Sequence, residues 1–299
     1  MSVNLKMKII YHHKDFDGHA SGAILKRAYP EATMVPYDYG EPFDIESVLP
    51  GEMVIMADVS FPMNKMMQLA DKCQGNFVWI DHHKSAIKDF AGITVNTPLT
   101  AVLQEGISAC ELCWKWCYPN EEIPFAIKLL GRYDTWRLKE GNWEDETLPF
   151  QYGMRVENFT ADNFPEWCFG NSDDDVIEAH ILIGIGNKIL TYQRNQNIYN
   201  AQYAFEARLN IEGTNFRAIC INKAPHNSMS FEPVWDEEKY DVMVPFGFDG
   251  ESWSFSFYTT KETVDCSWIA KQFGGGGHKQ AAGAKSDDLR KVLIIPEKG

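Results

Sequence analysis

Phe77-Val78-Trp79-Ile80-Asp81-His82-His83 runs four apolar residues straight into an acid and two imidazoles. The apolar run reads as a strand. A buried strand end seldom carries three such side chains for packing alone, because unpaired polar groups there are costly. Working toward the N-terminus, the same pattern recurs twice. Met53-Val54-Ile55-Met56-Ala57 ends on Asp58, and Lys8-Ile9-Ile10-Tyr11 leads to His12, His13, Asp15 and Asp17. Helical stretches lie between these runs. One passes through Ala20 to Ala28; another opens with Ser60 as cap and Pro62 as first-turn proline, and sets Met63, Met66, Met67, Ala70 and Cys73 at helical spacing. Such βαβα alternation with nearly continuous apolar strands predicts a parallel sheet covered on both faces. In open α/β sheets ligands bind outside the carboxyl ends of strands. Three strands therefore deliver acids and imidazoles to one edge.

Beyond this region the pattern changes. Residues 140–175 are aromatic and acidic without a clear period and read as irregular covering structure. A long helical stretch from Asp175 to about Ala204, broken only by Gly184 and Gly186, reads as a connector. Strand-like runs then return at Arg217–Ile221, Asp241–Val244 and Trp253–Tyr258, followed by a short helix from Ser267 to Phe273 and four consecutive glycines. The expected organisation is a catalytic domain over residues 1–175, a connector helix over 176–204 and a smaller α/β domain over 205–299. At 299 residues the chain is long for one core and comfortable for two.

Composition excludes several classes. With 44% hydrophobic and 23% charged residues the chain is globular rather than disordered. No apolar stretch approaches the ~20 residues that cross a bilayer, and the start lacks a signal-peptide apolar region, so a cytoplasmic location is expected. A net charge of −14 disfavours a clamp on long nucleic acid and fits a small anionic substrate better. Seven Cys residues without an export signal argue against a disulfide framework. Cys110, Cys113 and Cys117 share one helix face and read as core.

His and Asp together suit a divalent cation; a carboxylate-rich set shifts the preference toward Mn²⁺ or Mg²⁺. In His13-Lys14-Asp15-Phe16-Asp17-Gly18, three candidate ligands stand at alternate positions and would share a face in an extended loop. Asp58 and Asp134, the latter in Gly131-Arg132-Tyr133-Asp134-Thr135-Trp136, complete a set able to offset two cations. Among the remaining candidates, His19 opens the first helix beside the first motif and is a candidate substrate contact. His180 reads as a packing or surface residue, His226 as a loop residue, and Tyr133 and Trp136 as core.

These motifs resemble the DHH phosphoesterase superfamily, in order: His13 to Gly18, Asp58, Asp81-His82-His83 and Asp134. Gly274-Gly275-Gly276-Gly277-His278-Lys279-Gln280-Ala281-Ala282-Gly283 is similar to the signature of the associated DHHA1 domain. The resemblance implies an α/β fold, a parallel-sheet DHH domain joined by the connector to a smaller DHHA1 domain. It implies two divalent cations, Mn²⁺ foremost, with Mg²⁺ or Co²⁺ as alternatives. His13, Asp15 and Asp58 would hold one; Asp17, Asp58, His82 and Asp134 would hold the other. His12 is a rival for the place of His13. His83 would sit beside the scissile phosphate, and Asp81 would orient a ligand His. Gly275, Gly276, Gly277, His278, Ala282 and Gly283 would grip a substrate phosphate through backbone N–H groups, aided by a helix starting near Lys279.

The implied activity is hydrolysis of phosphate esters of short oligonucleotides, nanoRNA or linear dinucleotides, in the manner of an oligoribonuclease-type exonuclease. Adenosine 3′,5′-bisphosphate 3′-phosphatase, cyclic-dinucleotide phosphodiesterase, exopolyphosphatase and RecJ-like exonuclease are the alternatives. Partners are expected to be short RNA or small nucleotides, with no long duplex and no membrane; a homodimer is left open. A sensor that keeps the fold without catalysis is the reading from another class, and loss of a ligand would mark it.

Overall fold

The computed structural model describes residues 6–93, 97–223 and 228–296. It divides into two compact units, residues 1–190 and 191–299. The first unit contains, in order, β1 (Met7–His12), α1 (Phe16–Ala28), β2 (Thr33–Tyr37), β3 (Met53–Ala57), α2 (Met63–Cys73), β4 (Phe77–Asp81), α3 (Lys84–Ala91) and β5 (Thr100–Leu103). Then come α4 (Ala109–Cys117), α5 (Phe125–Asp134), α6 (Leu148–Met154) and α7 (Asp173–Ala201), within which the unit boundary falls.

The five strands pair in parallel in the order β2-β1-β3-β4-β5. Alternate strand residues feed two cores, as the period of two requires. Ile9, Tyr11, Ile55, Ala57, Val78 and Ile80 join a cluster with α1, α4, α5 and α6. Ile10, Val54, Met56, Phe77 and Trp79 join another with α2 and α3. A sheet buried on both faces explains the unbroken apolar strands. The chain order reverses between β1 and β3, which opens a crevice at their carboxyl ends.

Several sequence expectations shift here. Ser60 does not cap α2; Pro62 (φ −49°, ψ 138°) is the N-cap, and no side chain caps that helix. Strands β2 and β5 carry no clear sequence signal, since Pro36 stands inside one and the other is short and half exposed. Residues 140–175 are not irregular covering. They contain α6, whose Phe150, Gln151, Tyr152 and Met154 are buried, and Phe164, Cys168 and Phe169 also join the core. Nor is α7 broken at its glycines. A Cβ at Gly186 would lie 1.7 Å from the Pro149 carbonyl oxygen, so that glycine lets α6 and α7 meet backbone to backbone. His180 lies exposed on α7, stacked on Phe125 at 5.5 Å with planes 12° apart.

The second unit is built on a sheet ordered β10-β11-β9-β8-β7-β6. Its strands are β6 (Phe205–Ile211), β7 (Thr214–Asn222), β8 (Val242–Phe248), β9 (Trp253–Tyr258), β10 (Gly276–Gly277) and β11 (Ala281–Ser286), with α8 (Cys266–Lys271) packed on one face. Only β7 and β8 run parallel. The helix expected near Lys279 is absent; β11 stands there instead. β10 and β11 form a hairpin in which the His278 N–H donates to Ala281 O at 2.7 Å and the Ala281 N–H returns to His278 O at 3.3 Å. Gly277 takes φ +144°, and a Cβ there would lie 2.5 Å from Ala282 Cα. The glycines therefore serve a tight hairpin. The phosphate-gripping role is left without its helix terminus, and the His278 N–H is taken. His226 lies outside the described residues. No helix among the described residues is long and apolar enough to cross a membrane.

Candidate metal centre

His12 closes β1, Asp58 follows β3, and Asp81, His82 and His83 run off β4, so the three strand ends bring their side chains to the crevice. Asp58 is the hub. Its residue is 1% exposed and adopts φ +61°, a left-handed conformation that Asp tolerates better than most residues. Such strained backbone clusters at functional sites. Asp58 Oδ2 lies 3.5 Å from His12 Nδ1, and Oδ1 lies 3.2 Å from His82 Nε2 and 3.9 Å from His83 Nδ1. The two oxygens thus face two different groups of side chains.

On one side stand His12, Asp15 and Asp58; on the other, Asp17, His82 and Asp134. In each group one nitrogen or oxygen per residue comes within 4.8 Å of the others. His12 Nδ1 is 3.2 Å from Asp15 Oδ2, while its Nε2 meets Asp38 Oδ1 at 3.2 Å. An outward carboxylate of this kind leaves the inward nitrogen with a lone pair. His82 Nε2 is 3.5 Å from Asp17 Oδ2 and 3.3 Å from Asp134 Oδ2. His13 does not join. Its Nε2 turns to Glu41 Oε1 at 3.2 Å, so the rival imidazole, His12, takes the place beside Asp15. The physical reason is strand alternation. β1 runs through His12, whose side chain is buried at the strand end, whereas His13 is already outside it.

Supporting contacts fix these side chains. Asp15 is the N-cap of α1 and accepts from the Gly18 N–H at 2.9 Å. Asp17 accepts from the Ala109 and Cys110 N–H groups at 2.9 and 2.8 Å, at the N-terminus of α4, where a negative charge is favoured. Each of its oxygens keeps a second lone pair. α4 in turn is held by a capping box of Ser108 and Glu111, and Glu111 also pairs with Arg137. Asp81 is wholly buried. Its Oδ1 accepts from the His82 and His83 N–H groups at 2.7 and 3.1 Å and meets His83 Nδ1 at 2.7 Å. Trp79 Nε1 donates to Oδ2 at 3.2 Å. Asp81 therefore orients His83 rather than His82.

Electrostatics state what the cluster lacks. Burial and then the Asp17 charge push the Asp58 carboxyl far above the usual range. Burial, with Asp17 and Asp58 nearby, pushes Asp134 up to about 9. Burial alone would lower His12, but the carboxylates of Asp15 and Asp58 beside its Nδ1 overturn it and carry the ring to about 10. Like charges cannot all ionise in a buried space without a cation. Five inward atoms, His12 Nδ1, both oxygens of Asp58, His82 Nε2 and Asp134 Oδ2, are buried without a hydrogen-bond partner. Orphaned lone pairs converging from mixed His and Asp donors fit divalent cations.

Two features lay outside the sequence reading. Asp38 is a carboxylate on the loop after β2, with no motif to mark it. Trp136, expected in the core, is 69% exposed at φ +51°. It stacks in a ladder with Tyr133 and Trp143, ring centroids 5.8–6.3 Å apart. The cysteines of α4 behave as expected: Cys110 and Cys113 are buried, Cys117 is partly so, and all three are free thiols.

Comparisons with known proteins agree with this geometry. The family described as "DHH family, N-terminal domain" matches residues 8–131. An uncharacterized protein, R106, of Acanthamoeba polyphaga mimivirus is 24% identical over 252 residues, covering 80% of this chain. The match spans 54% of that relative, so the chain corresponds to about half its length. The structure of a pGpG-specific phosphodiesterase from Vibrio cholerae is similar with a TM-score of 0.54 at 13% identity, over 94% of each chain. The DHH domain of a member of the s1p family of ribosomal proteins is similar with a TM-score of 0.53 at 15% identity, over 93% of this chain and 82% of that one. At such identities these structures speak for the fold alone. The ordered His and Asp motifs, the parallel sheet that gathers them and the family match make residues 8–131 a DHH-family domain.

Proposed function

We propose that the chain is a metal-dependent phosphoesterase acting on short oligonucleotides or linear dinucleotides. The observation that carries this reading is that Asp58 belongs to one donor group with His12 and Asp15 and to another with His82 and His83, and that His82 in turn joins Asp17 and Asp134, with unpartnered inward atoms on His12, Asp58, His82 and Asp134. His12, Asp15 and Asp58 would hold one divalent cation; Asp17, Asp58, His82 and Asp134 would hold the other, with Mn²⁺ the preferred ion. Such a pair supplies Lewis acidity to phosphoryl oxygens and activates water at neutral pH.

The chain's own residues do the remaining work. Asp58, with its oxygens divided between the two groups, sets their separation. Asp38 holds His12 by Nε2 so that Nδ1 faces inward. Asp81 binds the Nδ1 edge of His83, which leaves Nε2 as the edge able to donate to a phosphoryl or leaving oxygen. On the second unit taken by itself, the exposed His278 with Gly275, Gly276, Gly277, Ala282 and Gly283 would contact a phosphate. With its N–H engaged in the hairpin, His278 would act through its ring.

The substrate class rests on charge and family. A net charge of −14 favours small anions over long ones. The likeness to a protein named as a pGpG-specific phosphodiesterase places linear dinucleotides first in the panel to be tried. Chelator-stripped protein is expected to be inert and to regain activity with Mn²⁺. It should release mononucleotides from 5′-labelled RNAs of two to five nucleotides and from linear dinucleotides faster than orthophosphate from adenosine 3′,5′-bisphosphate. Orthophosphate release from the bisphosphate with no cleavage of dinucleotides would make it a 3′-phosphatase. Full activity in chelator would end the metal reading.

A further inference from the structure

Two cavities adjoin the His/Asp cluster, and they differ in chemistry. One, of about 430 Å³, reaches His83 and is walled by Tyr37, Tyr39, Phe61, Pro62 and Met63; none of its lining residues is Lys or Arg. The other, of about 390 Å³, reaches Asp15 and carries Lys14 and Arg155. Asp15 and His83 belong to one chain of contacts through His12 and Asp58, at 3.2, 3.5 and 3.9 Å. Each volume falls in the range of sites for small ligands, ~300–1,000 Å³.

The Asp15 cavity has the parts that recognise a nucleotide. Phe16 and Phe159, both partly buried against the core, line it, and unstacked bases are commonly bound against aromatic rings. Gln151 and Asn158 offer amides, each both donor and acceptor, as base edges require. Arg155 is held in place at the wall. Its Nη2 donates to the Tyr133 hydroxyl at 3.1 Å, and its guanidinium lies 4.8 Å from the Tyr152 ring centroid and 5.8 Å from that of Tyr133. A pre-positioned planar fork suits phosphate oxygens. His19 also faces the cavity. Its Nδ1 accepts from the Ala161 N–H at 3.2 Å. Two carboxylates share the lining, Asp15 and Glu157. Asp15 is engaged with His12 and the Gly18 N–H, so Glu157 is the acid an incoming phosphate must avoid.

We propose that this cavity is a nucleotide subsite, taking one nucleoside monophosphate unit of the substrate with its base against Phe16 and Phe159 and its phosphate toward Arg155 and Lys14. The proposal deepens the phosphoesterase reading and rests on it for what the unit belongs to. It also gives the 155–160 segment, which no motif marked, a part in choosing short nucleotide substrates.

The test separates the two ideas. The chelator-stripped 299-residue chain is titrated calorimetrically with AMP, GMP, CMP, UMP and ribose 5-phosphate, and kcat and KM for a 5′-phosphorylated dinucleotide are measured with Mn²⁺. Arg155→Ala and Asn158→Ala are compared, with circular dichroism and melting as checks; both residues are exposed, and the second guards against a folding defect in the first. Mononucleotides should bind more tightly than ribose 5-phosphate. Arg155→Ala should weaken that binding about 10-fold or more and raise the dinucleotide KM more than it lowers kcat. Binding indifferent to both substitutions in a protein that cleaves dinucleotides overturns the subsite and leaves the phosphoesterase reading standing. Ribose 5-phosphate binding as tightly as AMP overturns the base contact. Arg155-dependent AMP binding by a protein that hydrolyses nothing supports the subsite and removes the phosphoesterase reading.

Discussion

Replacing Asp58 by Asn isolates the charge at the hub. Asn is close in shape and also tolerates the left-handed backbone at φ +61°, so the fold should survive. In the wild-type protein without metal, both Asp58 oxygens are buried and unpartnered, and Asp17 lies close enough to raise the carboxyl. Burial and Asp17 disfavour the ionised carboxyl there, so a neutral amide should leave the metal-free variant at least as stable as the wild type. Metal reverses the order. A cation at 100 times its Kd stabilises the native state by about 2.7 kcal/mol. For a unit of this size that raises the melting temperature by roughly 5–11 °C per ion. The assay is calorimetric melting of both proteins in chelator and in Mn²⁺. The wild type should gain the shift; Asp58→Asn should show little of it and no measurable turnover. An undiminished Mn²⁺ shift in Asp58→Asn would refute the hub.

Four further outcomes follow from named contacts. His12→Ala should abolish Mn²⁺-dependent turnover while His13→Ala, which loses only a contact to Glu41, keeps most of it; the reverse order in kcat would return the role to His13. Asp81→Asn should lower kcat about 10–100-fold, as loss of an orienting partner does, with melting little changed; an unaltered kcat contradicts its hold on His83. Gly186→Ala forces a methyl against the Pro149 carbonyl and should cost about 1–3 kcal/mol in denaturant unfolding; an unshifted midpoint would contradict the close α6–α7 approach. In the second unit, burial alone would raise the Asp241 carboxyl, but Arg217 at 3.0 Å and Lys261 at 2.7 Å overturn it and hold it well below the usual range. A depressed carboxyl stabilises above its unfolded value of about 3.9 and loses that contribution as pH falls toward the native one. Acid melts from pH 5 to 2 should therefore be shallower for Asp241→Asn, and equal slopes would exclude the linkage.

Much of the site was legible because its signals are local. Apolar runs ending in Asp58 and in Asp81-His82-His83 mark buried strands by period and strand ends by their polar residues. What failed was nonlocal. Whether His12 or His13 faces inward depends on where β1 ends, a one-residue matter that flips a side chain to the other face. Asp38 comes from a loop after a strand that carries Pro36, so neither had a signal. Residues 140–175 lacked a period because α6 is buried around much of its surface, and a helix with no polar face shows no amphipathic stripe. The glycine run is plain in the sequence, but the hairpin its glycines permit also depends on pairing with β11, which no local pattern announces.

The central claim is that cations occupy both sides of Asp58. Anomalous diffraction from crystals grown with Mn²⁺ tests it most directly. Two peaks about 3.5–4 Å apart, one among His12, Asp15 and Asp58 and the other among Asp17, Asp58, His82 and Asp134, are the expected result. A saturated crystal with no anomalous density at Asp58 would contradict it.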